Sequence, residues 1–182
     1  MRQLDLVRDL AAYPVRTRAD CTGVVVHRIE VSQEDAAFSD TPTDVVRFFL
    51  EQPIGRKATG GKMPYPILVE ADGTLTGILP LSCVTPHARA YNPTTIGVGC
   101  IGDFRRAPLT AAARAALVPL LAELLHAIGR TSDDLFGHDE LAGGSADPEK
   151  ECPGRFLGMA ALRQEVRAAM RDSVLGRLTF LW

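Results

Sequence analysis

The chain has little of what marks several large functional classes. Its net charge is only −2, too small a bias for a nucleic-acid groove or an anionic membrane surface to be the main partner. No apolar run is long enough to span a bilayer, and hydrophobic residues make up 46% against 23% charged, a soluble globular balance. The opening segment from Met1 to Leu10 alternates charge with apolar residues and has no apolar core of the signal-peptide kind. The expectation is therefore synthesis in the cytoplasm without a leader. Repeats, low-complexity tracts and long linkers are missing too, so 182 residues read as one domain over 1–182, with a core from about residue 20 to 175. Among the four cysteines, Cys21, Cys83, Cys100 and Cys152, no CxxC spacing occurs. That argues against a disulfide framework. Cys100 sits in an apolar strand-like run and reads as a buried, inert thiol.

What is present alternates between strand and helix. A stripe of Leu4, Leu6, Val7 and Leu10 suggests a short helix over 3–12. Residues 23–31 are rich in β-branched side chains and read as a strand. Thr41 and Pro42 form a helix start before Val45, Val46, Phe48, Phe49 and Leu50. Residues 52–63 carry Gly55, Gly60, Gly61 and several cations, and read as a mobile surface loop. Two apolar runs, 66–70 and 74–79, flank Asp72-Gly73, a strong hairpin signal. A strand over 95–101, a long helix from an N-cap at Thr110 to a stop at Gly129, and a last helix over 156–175 complete the series. The fold class is α/β: one central mixed β-sheet flanked by helices.

The chemistry is concentrated in His27, His138 and Cys152. Two imidazoles and a thiolate form a donor set that suits zinc, and three protein ligands leave a coordination position open. Each residue also has an ordinary reading. His27 on a strand can be a satisfied core histidine. His138, just before a Gly-rich stretch, can be a loop residue whose ring Asp139 orients. The segment Lys150, Glu151, Cys152, Pro153, Gly154 can be a surface turn. In an extended segment Lys150 and Cys152 share a face, which would favour the thiolate and set an ammonium beside a developing oxyanion. His126, on the apolar helix, needs no function.

Four segments in order resemble the zinc-dependent N-acetylmuramoyl-L-alanine amidases of the peptidoglycan-recognition fold, the type 2 amidases, which include phage lysozyme-type amidases. They are the strand from Val24 to His27, the run from Tyr65 through Asp72, Gly73 and Thr74, the block from His87 to Asn92 with Thr95–Val98 and Gly102–Phe104, and the pair Gly137, His138 with KECPG at 150–154. The likeness spans about residues 20–160 and implies the amidase fold. It implies zinc on His27, His138 and Cys152, Tyr65 and Lys150 as catalytic helpers, and His87 and Asn92 beside the substrate groove. The implied reaction is hydrolysis of the amide between N-acetylmuramic acid and L-alanine in peptidoglycan or muropeptides, after lysis, dedicated export, or on wall fragments in the cytoplasm. This chain departs from the pattern at Arg28, Ile29 and Glu30 after the first histidine, at Pro66 after Tyr65, and in the thirteen residues separating His138 from Cys152. Rival readings are a recognition module without catalysis, for which loss of the cysteine ligand is typical, and an interaction protein such as a toxin-type amidase held by an immunity partner or inhibitor. For the latter, the tail carrying Leu178, Phe180, Leu181 and Trp182 would be the surface. A structural zinc site is disfavoured because no fourth ligand is evident.

Overall fold

The computed structural model describes residues 1–3, 7, 9–32, 37–142 and 151–172. Lys150, the insert at 143–147 and the tail from 173 onward lie outside them. The strands are β1 (Arg2–Gln3), β2 (Gly23–Ile29), β3 (Ile67–Val69), β4 (Leu75–Gly77), β5 (Thr95–Ile101) and β6 (Leu135–Gly137). The helices are α1 (Pro42–Glu51), α2 (Pro53–Thr59), α3 (Ala111–Ala127), α4 (His138–Ala142) and α5 (Met159–Asp172). The strands form a single mixed sheet in the order β1-β4-β3-β5-β2-β6. Among the described strands of this sheet, only the β3–β4 pair is antiparallel.

Strand alternation sorts the core into two layers. Val24 and Val26 of β2, with Ile96, Val98 and Cys100 of β5, pack beneath Leu117, Leu121, Leu124 and Leu125 of α3 and Leu162 and Val166 of α5. Ile29 of β2 and Ile101 of β5 turn to the other face, where α1 contributes Val45, Val46 and Phe48. His27 alternates with Val26 and so belongs to the α1 face. On that face β5 offers Thr95, Gly97, Gly99 and Ile101, two of them without a side chain. The bare strip leaves room for the aromatic residues of the site.

The expected elements at 95–101 and from Thr110 are those found; Thr110 Oγ1 accepts the Ala113 amide and caps α3. Thr41 caps α1 in the same way, accepting from Asp44. Four segments differ from expectation. Residues 52–63 are not simply a loop: Pro53 at the first turn sets the backbone for α2, and Gly60 in the left-handed conformation ends it. Of the helix expected over 3–12, residues 4–6 and 8 lie outside the described residues; at its ends Gln3 belongs to β1, where it pairs with Gly77 at the sheet edge, and Leu10–Ala12 form a 3-10 turn. Residues 135–137, just before the histidine read as a loop residue, form β6, three residues being too few to show a period of two. The last helix begins at Met159, preceded by a 3-10 turn at Arg155–Leu157. Among the described residues, no helix is long and apolar enough to cross a membrane.

Candidate active site

β2 and β6 are parallel neighbours, with Val26 opposite Gly137. Their carboxyl ends therefore bring His27 and His138 side by side, at the edge where ligands gather in open α/β sheets. The ring centroids are 4.6 Å apart. Cys152 arrives from a distant segment, with Sγ 3.8 Å from His27 Nδ1. One donor atom from each of the three residues lies within 4.8 Å of the others. Zinc bonds of ordinary length at a tetrahedral angle would separate a nitrogen and a sulfur ligand by about 3.6 Å, so the His27–Cys152 spacing suits a shared ion. Burial lowers the pKa of His27 well below its ordinary value, and that of His138 less, which keeps both imidazoles in the neutral, metal-binding form.

The Cys152 segment is held from three sides. Asp139 donates its amide to the Cys152 carbonyl at 2.8 Å and accepts the Cys152 amide on Oδ2 at 2.6 Å. Asp139 thus braces the cysteine backbone, and among the described residues no bond from its carboxylate to the His138 ring is found. Arg28 Nε donates to the Glu151 carbonyl at 2.8 Å. Gly154, at φ 100, lies so close to the next loop that a Cβ would meet Phe104 C at 2.6 Å and Arg105 N at 2.7 Å. Only glycine fits there. Burial pushes the Cys152 thiol up to about 12, against the pull of the Arg28 guanidinium. Lys150, which the sequence sets beside the thiol, lies outside the described residues; among those described, Arg28 places a cation near Cys152.

Arg28 also belongs to a compact ionic cluster. Its Nη1 is 3.6 Å from Glu30, Arg105 Nη2 reaches Glu30 at 3.0 Å, and Arg105 Nε reaches Asp103 at 2.6 Å. Arg105 holds the Asp103 carboxyl below the usual range, whereas burial and the nearby Asp103 charge raise Glu30. The departures noted after His27 therefore have a structural use: they tie the end of β2 to the 102–105 loop and to the cysteine segment.

Beside the three donors opens a cavity of about 350 Å³, lined by Cys152, Tyr65 and Arg28 with Phe49 of α1 and Ile54 and Ala58 of α2. Tyr65 is 9% exposed, its ring centroid 5.0 Å from that of His27. Burial raises its hydroxyl well above the ordinary phenol range, with the neighbouring Cys152 adding to the effect, so it stays protonated. The apolar wall from α1 and α2 was not legible as part of the site, since nothing in the 52–63 pattern separates a groove-lining helix from a loop.

The residues expected beside the substrate groove, His87 and Asn92, are joined by a hydrogen bond. His87 is only 6% exposed and sits behind His27, its Nδ1 3.1 Å from His27 Nε2. Burial lowers its pKa to about 4. Asn92 spends its side-chain carbonyl on the amides of His87, at 2.9 Å, and Ala88. Neither contributes to the wall of the cavity beside Cys152.

The family model for N-acetylmuramoyl-L-alanine amidase matches residues 17–155. Comparison with curated proteins gave no significant match. Among solved structures, the N-acetylmuramoyl-L-alanine amidase LysC from Clostridium intestinale URNW is similar at 19% identity and a TM-score of 0.67, over 91% of this chain and 95% of its own. The endolysin of Thermus scotoductus MAT2119 bacteriophage Ph2119 is similar at 22% identity and a TM-score of 0.65, over 91% of this chain and 99% of its own. A peptidoglycan-recognition-protein ectodomain complex bound to tracheal cytotoxin is similar at 25% identity and a TM-score of 0.57, over 86% of this chain and 92% of that one. These structures share the fold of this chain, and the family model spans the segments that carry His27, Tyr65, His138 and Cys152. The chain belongs to the N-acetylmuramoyl-L-alanine amidase family.

Proposed function

We propose that this protein is a zinc-dependent amidase that cleaves the bond between the lactyl group of N-acetylmuramic acid and L-alanine in peptidoglycan or its soluble fragments. The observation that carries the reading is the convergence of His27, His138 and Cys152 at one end of the sheet, beside an open cavity. Two nitrogens and a sulfur fit zinc, and the absence of a fourth protein ligand among the described residues leaves the site open to water and substrate. Zinc held there would supply a Lewis acid and an acidified water at neutral pH.

The chain's own groups have separable tasks. Tyr65, protonated and beside the donor set, offers an Oη–H to the water or to the scissile carbonyl. Lys150, two residues from Cys152, is assigned to neutralising the oxyanion. Arg28 and Asp139 hold the Cys152 backbone so that Sγ faces His27. The apolar wall of Phe49, Ile54 and Ala58 excludes water and receives the stem-peptide side of the substrate. Retention of Cys152 alongside both histidines favours catalysis over recognition alone.

The test is zinc content together with release of stem peptides from isolated peptidoglycan and from soluble muropeptides, in wild type and in Cys152→Ala. One zinc per chain and peptide release that disappears in the variant are expected. Zinc without cleavage of either substrate would leave a recognition module, and a purified protein that takes up no zinc would sink the reading.

A further inference from the structure

The hydrogen-bond partners of His87 settle which of its nitrogens carries the proton. Its Nε2 is 3.1 Å from the Thr95 carbonyl and 3.4 Å from Thr95 Oγ1. The carbonyl can only accept. Thr95 Oγ1 has already given its hydrogen to the Tyr91 carbonyl at 2.7 Å, so it too presents a lone pair. His87 Nε2 therefore carries the hydrogen, and Nδ1 is left as an acceptor. That bare Nδ1 lies 3.1 Å from His27 Nε2, and the two rings meet edge-on at 86°. His27 must then be protonated on Nε2, which leaves Nδ1 unprotonated. His27 Nδ1 is the atom that faces Cys152 Sγ.

The surroundings are built around this contact. Gly97, on the face of β5 that looks toward His27, lies directly against the His87 ring; a Cβ there would sit 2.8 Å from His87 Cγ and 3.0 Å from Nδ1. Behind the ring, the buried Arg16 guanidinium holds the Thr95 carbonyl through Nη1 and the Asn92 carbonyl at 3.0 Å, while Asn92 fixes the His87 amide. The carbonyl that sets the His87 tautomer is thus itself clamped.

We propose that His87 is a positioning residue of the metal centre: it accepts the Nε2–H of His27 and so fixes the tautomer and ring orientation that present His27 Nδ1 to the ion, with Thr95 and Arg16 fixing His87 in turn. Metal-bound histidines commonly donate their second nitrogen to an oxygen acceptor; here the acceptor is a neutral imidazole, which holds the ring without adding negative charge. The proposal rests on the zinc reading above.

Its test compares zinc dissociation constants, by chelator competition, for wild type, His87→Leu and His87→Asn, with cobalt(II) absorption as a report on ligand geometry. Leucine has a similar size but no acceptor, and zinc affinity should fall roughly 10–100-fold with an altered cobalt spectrum. Asparagine can set Oδ1 near the place of Nδ1, and should restore most of the affinity. A role confined to packing would lower the thermal midpoint of the metal-free variants and leave the zinc constants equal, which would overturn the proposal. If His87→Leu does not fold, Gly97→Ala displaces the ring without removing it; weakened zinc binding supports the proposal, and an unchanged constant overturns it. A wild type that binds zinc and releases stem peptides alongside an unaffected His87→Leu would fault the positioning role alone, whereas a wild type without zinc would fault both readings.

Discussion

Tyr65 illustrates how one residue acquires chemistry from its surroundings. Strands favour tyrosine for packing, and its ring does pack, against His27 and Phe49. Its hydroxyl, however, belongs to a residue that lines the cavity with Cys152, and burial keeps it protonated. Tyr65→Phe keeps the ring and removes only the Oη–H. Peptide release should fall by about 10²–10⁴-fold, the range for a lost proton-transfer group, with zinc content and thermal midpoint close to wild type. A variant within a factor of two of wild-type rate would assign Tyr65 to packing. The donor residues were legible in the sequence because histidine and cysteine are few and chemically distinctive. The task of Asn92 was not: a carboxamide reads the same whether it meets a substrate or two backbone amides, and only the loop's path shows that it caps the His87 turn.

At the level of elements, β5 was legible in full, and its side-chain order explains the site. Thr95, Gly97 and Gly99 leave one face open to the aromatic residues, while Ile96, Val98 and Cys100 seal the other. α2 and β6 were not legible, since seven and three residues carry too little periodicity and owe their form to packing against α1 and pairing with β2. The ionic cluster joining β2 to the 102–105 loop was visible only as departures from the family pattern. Its pH dependence follows from Asp103. The Arg105 hydrogen bond lowers the folded-state pKa of Asp103, so the stabilisation is complete above the unfolded carboxylate value of about 3.9 and is lost as pH falls through the lower folded value. Glu30, raised by burial and by the Asp103 charge, works the opposite way. Asp103→Asn relieves Glu30 while it breaks the pair. Its cost at neutral pH should therefore fall short of the roughly 3–5 kcal/mol typical of a broken buried pair. Urea unfolding of wild type and variant, compared at neutral pH and near pH 3, should show the gap narrowing on acidification. A gap that is constant or wider in acid would mean that the Asp103 charge is not what stabilises this loop.

Across the whole molecule, the three donor residues come from opposite ends of the chain, and only the folded sheet brings them together. His27 lies on a central strand, His138 at the start of α4, and Cys152 on a segment braced by Asp139, Arg28 and the Phe104 loop. An ion shared by the three would tie β2, β6 and the cysteine segment together at the carboxyl ends of the strands. Because the unfolded chain cannot hold the three together, binding favours the folded state by mass action. Zinc at a thousandfold excess over its dissociation constant should add about 4 kcal/mol. For a domain of this size that corresponds to a rise in thermal midpoint of roughly 10 °C. The rise should reverse on chelation and be largely absent in Cys152→Ala, whose metal-free midpoint should stay near that of the metal-free wild type because Cys152 lines the cavity and belongs to neither core cluster. Calorimetry of the two proteins with and without zinc reads all four states. An equal rise in both would place the stabilising ion elsewhere on the protein, and no rise in the wild type would mean that the three donors do not act together as one site.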